Sequence, residues 1–240
     1  MAKWLEELAL SYEGAFYGYK KLTHLLRNTY KVIVNHKKVY RLCREMGLLK
    51  EPRQRKPRES RRMKHNWLPD RPNQLWAVDI KYGYVNGTQG FFCIMPVLDL
   101  FDRMIVGCYI GVSCRGENVA ATIGKALVAR GVMDSEAKPT LRSDNGPQFV
   151  SKKLANACQG WHVAQERIPV RSPNLNAHIE SFNALLEMEC LGDEFDTFLQ
   201  AKTAVLDYIE FYNAVRLHSS LKYASPQVYH DRWLSAHAAA

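Results

Sequence analysis

The stretch Leu75-Trp76-Ala77-Val78-Asp79-Ile80-Lys81-Tyr82 decides the fold. Trp76, Val78, Ile80 and Tyr82 alternate with Ala77, Asp79 and Lys81, and a period of two belongs to a strand. Asn86-Gly87 then supplies a hairpin signal, since a tight two-residue turn needs positive φ at its centre, and Phe91 to Leu98 reads as the returning strand. Asp102-Arg103 leads into a third strand, Met104 to Ile110, which completes an antiparallel meander. Further on, Val119, Ile123, Ala126 and Leu127 mark a helix closed by Gly131. Pro139 to Ser143 reads as a short strand, Gln148 to Cys158 as a helix, and Asp196 to Asn213 as an amphipathic helical run. The pattern predicts an α/β domain in which a mixed sheet is flanked by helices.

Upstream of the sheet the period changes to that of helices. Tyr19, Leu22, Leu25 and Leu26 recur at helical spacing between Tyr17 and Tyr30. Asn35 is a good N-cap for a second helix ending at Gly47, with Val39, Leu42, Cys43 and Met46 as its apolar stripe. Lys20 and Lys21 stand on the polar side of the first helix, and Lys37, Lys38, Arg41 and Arg44 on that of the second. Two short helices with a basic outer face predict a small all-α helix-turn-helix module over residues 1–49 that binds double-stranded DNA. A basic linker over 50–70 follows, carrying Arg53, Arg55, Lys56, Arg58, Arg61 and Arg62. It has too little apolar surface to offset its ordering entropy, and its cations suit DNA phosphates. The catalytic core is expected over 71–192 and a helical extension over 193–240.

Charge supports this division. Residues 1–70 hold 17 Lys and Arg against 7 Asp and Glu, whereas residues 71–240 hold 16 against 17, so the whole excess of +9 comes from the first segment. A basic arm ahead of a neutral domain points to a polyanion. The apolar runs are too short for a membrane helix, and Glu6 and Glu7 interrupt any signal peptide, so a cytoplasmic protein is expected. Six scattered cysteines lack metal-ligand spacing, and mostly buried, reduced thiols without zinc are expected. No phosphate-binding loop of the G-x-x-x-x-G-K-[ST] type occurs.

Three carboxylates carry the candidate chemistry. Asp79 lies in a strand otherwise suited to burial, where a charge is costly unless it is paired or bound to a cation. Asp144 follows a strand in Arg142-Ser143-Asp144-Asn145-Gly146, at the end where open α/β sheets place ligands. Glu180 sits early in a helix with Ile179, Phe182 and Leu186 as its apolar positions. Convergent carboxylates are hard oxygen donors that suit magnesium, and phosphodiester transfer uses two such ions.

Gln74-Leu75-Trp76-Ala77-Val78-Asp79, Leu141 to Phe149 (LRSDNGPQF) and Ser172 to Phe182 (SPNLNAHIESF) resemble the integrase-type DDE transposases of bacterial insertion sequences, the second reading-frame products. Thirty-five residues separate Asp144 from Glu180, the spacing of that group. The likeness extends to Tyr17-Gly18-Tyr19-Lys20-Lys21-Leu22 and to Phe211-Tyr212-Asn213 with Arg216, His218, Ser219 and Ser220. It implies a ribonuclease H-like, retroviral-integrase-like α/β core with a mixed five-stranded sheet flanked by helices, and Asp79, Asp144 and Glu180 as catalytic ligands of two Mg2+ or Mn2+ ions. It also implies strand cleavage at element ends followed by strand transfer. The implied partners are terminal-repeat and target DNA, further copies of the chain, and an upstream reading-frame product. Ser143, Asn145, Asn183, Arg216 and His218 become candidates for supporting or phosphate contacts. Many relatives carry a basic residue two helical turns after the catalytic glutamate, whereas Glu187 stands here, with Glu189 beyond. A DNA-binding regulator without catalysis and a ribonuclease H-like nuclease are the alternatives.

Overall fold

The computed structural model describes residues 1–50, 67–86, 90–169, 172, 175–192 and 194–238. It opens with three helices, α1 (Ala2–Leu10), α2 (Tyr19–Tyr30) and α3 (His36–Glu45). The side chain of Asn35 accepts a hydrogen bond from Lys37 N at 2.9 Å and so caps α3 as expected. Leu22, Leu25 and Leu26 of α2 bury against Val39 and Cys43 of α3, and α1, which the periodicity did not reveal, adds Leu5 and Leu8 to the same core. Leu217, from the far end of the chain, completes this core, and its N–H donates to the Tyr17 hydroxyl at 2.7 Å. The helical module is thereby fastened to the main domain.

The main domain is built on β1 (Leu75–Val78), β2 (Lys81–Val85), β3 (Gly90–Asp99), β4 (Ile105–Gly111), β5 (Thr140–Ser143) and β6 (Ala164–Arg167). The meander is antiparallel as expected, while β5 runs parallel to β1 and β6 parallel to β5. Six strands stand where five are expected because the first is interrupted at Asp79 and Ile80. Both halves keep one register against β3: Val78 faces Val97, and Lys81 faces Ile94. Continued between them, that register sets Pro96 opposite Asp79. Leu100 N donates to Leu75 O, and the same alternation would have residue 96 donate to Asp79. Proline has no N–H to give, so the ladder lapses where the carboxylate emerges.

Helices cover both faces. On one lie α4 (Gly116–Ala129) and α5 (Lys152–Gly160), packed on Trp76, Val78, Met95 and Val97. On the other lie α6 (Ala177–Glu189) and α7 (Phe198–Ala214), packed on Leu75, Ala77, Ile94 and Leu98, with α8 (Pro226–His237) following. Each fully buried aromatic here, such as Phe182 of α6 at 1% exposure, contributes roughly 1.5–3 kcal/mol. The parity of β1 therefore assigns faces: odd positions, Asp79 among them, look toward α6. α5 begins at Lys152 rather than near Gln148, because Gly146 to Val150 forms a turn and Ser151 is the N-cap. Four of the six cysteines are buried.

Candidate active site

Asp79 and Asp144 directly follow neighbouring parallel strands. Leu75 faces Thr140 and Ala77 faces Arg142, so two residues further along the same register Asp79 comes beside Asp144. Adjacent strands lie about 4.8 Å apart, which places both carboxylates at one rim of the sheet. Asp144 lies in an Asx turn, its Oδ1 accepting Gly146 N–H at 2.8 Å. Its neighbours hold the strand end in place: Ser143 Oγ donates to Asp144 O at 3.0 Å, and Asn145 Nδ2 donates to Ile168 O at 3.0 Å. Asn145 thus ties the loop after β5 to the chain leaving β6.

From the other side, α6 brings Glu180 in its first turn and Asn183 one turn on. Asn183 Nδ2 donates to Asp79 Oδ2 at 3.0 Å, while its buried Oδ1 has no partner among the described residues. Burial pushes the Asp79 carboxyl up to about 6, and the negative charges of Asp144 and Glu180 add to this effect against hydrogen bonds from Ile80 N–H and Asn183. All three carboxylates therefore share one electrostatic neighbourhood. Among the described residues, however, no three His, Cys, Asp or Glu side chains are grouped closely enough to hold a metal ion as they stand. The backbone assembles the rim, and the exposed side chains of Asp144 and Glu180 do not close on Asp79. The donor set nevertheless fits a hard divalent cation, which would relieve the mutual repulsion.

One further turn along α6, Glu187 meets Lys81 Nζ at 2.7 Å. Lys81 lies two residues after Asp79 and so shares its face; that parity is the signal by which it could have been found. A cation contributed by the strand thus stands beside Glu187.

Arg216 and His218 are brought elsewhere. Arg216, 3% exposed, donates from Nε and NH2 to the two oxygens of Glu189 at 2.7 and 2.5 Å, and Tyr208 Oη donates to Glu189 at 3.1 Å. His218 lies edge-on to Tyr212, ring centroids 4.7 Å apart. Burial, with Arg216, Lys21 and Arg103 nearby, pushes its imidazole down to about 3. Of the basic residues expected to meet DNA, Lys20, Lys37, Lys38, Arg41 and Arg44 are exposed, and Lys21 is half-buried with its ammonium over the Tyr17 ring. Arg53, Arg55, Lys56, Arg58, Arg61 and Arg62 lie outside the described residues.

A carboxylate-rimmed mixed sheet behind a helix-turn-helix module defines the class, and comparison with known proteins agrees. Residues 69–173 and 162–226 match models of the integrase core domain, and residues 6–57 match the HTH-like domain. The chain is 30% identical over 218 residues, 90% of its length, to the insertion element IS407 uncharacterized 31.7 kDa protein of Burkholderia multivorans, of which it covers 76%. It is 28% identical to the putative transposase InsK for insertion sequence element IS150 of Escherichia coli, covering 90% of this chain and 78% of that one. A chain of the simian T-cell lymphotropic virus intasome, solved with PP2A regulatory subunit B56 gamma, shares the fold with a TM-score of 0.57 at 14% identity, covering 90% of this chain and 71% of that chain. The chain belongs to the integrase-type transposases of bacterial insertion sequences. Among the described residues, no helix is long and apolar enough to cross a membrane.

Proposed function

We propose that this transposase cuts DNA at the ends of its element and joins the freed 3′-hydroxyl to target DNA, with Asp79, Asp144 and Glu180 as the metal-binding carboxylates. The observation that carries the reading is the strand register that sets Asp79 beside Asp144, with α6 adding Glu180 over the same rim. Two Mg2+ or Mn2+ ions, when bound there, supply positive charge at the attacking and leaving oxygens of the phosphodiester. Asn183 keeps the Asp79 carboxylate oriented, and Asn145 holds the loop that presents Asp144. The exposed cations of α3 and those of the linker position the duplex through its phosphates. Joining two element ends requires at least two copies of the chain, and an upstream reading-frame product is a further partner for end recognition.

The test is strand transfer on a labelled duplex carrying the element's terminal sequence, with Mg2+ or Mn2+, comparing the wild type with Glu180→Gln. Joined product from the wild type alone, with DNA binding retained by the variant, supports the reading. Cleavage without joining identifies a nuclease. Binding without any reaction, even with the upstream product added, identifies a regulator.

A further inference from the structure

Where the helical module meets the main domain, a cavity of about 720 Å³ opens between the start of α2, the outer side of α6 and the chain at 219–223. A second, of about 250 Å³, adjoins it and shares Lys20 and Tyr223. Together they form one crevice whose walls carry Lys20, His24, His36 and Lys50 along with the rings of Tyr19 and Tyr223. Among the described residues the acid lining it is Glu189, and its charge is matched by the bidentate bond from Arg216. The crevice is therefore net positive and aromatic at once.

Tyr223 is held in place at a cost. It and Lys222 are consecutive non-glycine residues in the left-handed region, with φ of 61° and 55°. A bulky residue adopts that conformation only where its surroundings impose it, and such strain gathers at binding sites. Here Tyr223 N–H donates to His218 O at 2.8 Å, and the Tyr223 ring stacks on His24 at 3.8 Å between centroids and 12° between planes. The loop thus presents an aromatic ring against α2 from across the seam.

We infer that this crevice binds an unpaired DNA strand next to the duplex held by the helix-turn-helix. A duplex keeps its base faces stacked inside and offers mainly phosphates to a cationic surface, so ring faces set between cations gain nothing from it. An unpaired strand exposes both phosphates and base faces, and cations interleaved with aromatic rings are the combination that holds one. The inference deepens the proposed function, since cutting at element ends leaves strands that can separate from their partners.

The full chain is titrated with a fluorescent oligothymidylate, with a blunt duplex, and with the same duplex bearing an oligothymidylate tail, all at one salt concentration. Tyr223→Ala is expected to weaken binding of the oligothymidylate and the tail about tenfold, the loss of one or so stacked bases, while blunt-duplex binding changes by less than about twofold. Lys20→Gln, an exposed change that leaves the fold intact, weakens the same two probes by a larger factor than the blunt duplex. Unchanged oligothymidylate binding in both variants overturns the inference, as does an equal loss with the blunt duplex. Displacement of the strand by thymidine monophosphate at equal concentration also overturns it, since the crevice would then take free nucleotides. Failure here is separable from failure of the proposed function. Metal-dependent joining by the wild type, with single-strand binding indifferent to Tyr223, refutes only the crevice; crevice-dependent strand binding without joining refutes only the chemistry.

Discussion

Replacing Glu189 by alanine tests whether Arg216 serves the fold or the DNA. The change deletes both carboxylate oxygens that receive Arg216 at 2.7 and 2.5 Å, and the acceptor of Tyr208 Oη at 3.1 Å. It leaves a guanidinium only 3% exposed without its counter-ion. Removing one partner of a buried ion pair costs about 3–5 kcal/mol, far more than the pair adds over an apolar replacement. For a chain of this size each kcal/mol moves the melting temperature by about 2–4 °C, so Glu189→Ala should melt roughly 6–20 °C lower. Thermal and urea unfolding followed by circular dichroism give the number. The double variant Glu189→Leu with Arg216→Met, which leaves no charge behind, should recover most of the loss. The reasoning is refuted if Arg216→Met alone unfolds within about 1 kcal/mol of the wild type yet loses duplex binding or strand transfer at least tenfold, because the guanidinium would then be acting on DNA.

Three further outcomes follow from the same coordinates. The unfolded chain protonates His218 near its ordinary 6.5, whereas the folded chain resists until about pH 3. At this residue the unfolded state thus binds more protons over that window, and its contribution to stability is lost as pH falls from 7 toward 5, against the opposite contribution of Asp79 and Asp99, whose carboxyls are pushed up to about 6. His218→Phe should remove about half of the histidine-driven fall in urea midpoint between those pH values, because His178, likewise pushed down, to about 4, contributes a near-equal share there. Glu187→Ala releases Lys81 from its 2.7 Å partner. Stability should change by less than about 1 kcal/mol for so exposed a pair. Duplex binding should tighten, with the slope of log affinity against log salt steeper by about 1 for one added phosphate contact. Gly83→Ala would set a Cβ 2.4 Å from the ring of buried Phe92, and should cost about 1–3 kcal/mol in urea unfolding.

Much of this was legible because alternation within one strand fixes faces. The parity of Leu75 to Tyr82 already put Asp79 and Lys81 on one side of the sheet, and the turn after Ser143 already put Asp144 at a strand end. The break at Asp79 was hidden because its cause, Pro96, belongs to the facing strand and acts only through pairing. β6 escaped notice for a different reason: its four residues are half-buried or exposed and carry no apolar period. Glu180 has no local mark at all, since a glutamate in a helix's first turn is ordinary, and only its company with the other motifs singled it out. Arg216 and His218 were visible as polar residues near a motif, but their burial depends on Glu189 and Tyr212. The first sits 27 residues away along the chain, where no local pattern could connect them.

The division of labour at the rim follows from which quantities a backbone can fix. Register between β1 and β5 sets where Asp79 and Asp144 leave the sheet, and packing of Ile179, Phe182 and Leu186 sets where α6 lies over it. None of these can shift without disturbing a close-packed core. Core packing does not fix the exposed side chains in this way: one oxygen of Asp144 is held by its own turn, Glu180 stands exposed, and three carboxylates drawn together repel. The raised pKa of Asp79 already registers part of that repulsion, although its burial is the larger cause. Holding a glutamate in one rotamer costs no more than about 2 kcal/mol, which a divalent cation offsets readily. On the proposed reading, a rim with positions set by the backbone and side chains that can still adjust would accept divalent ions together with a phosphate. Asn183 restrains Asp79, the carboxylate that lies within the sheet, whereas Asp144 is held only through its own turn and Glu180 stands exposed in the first turn of α6.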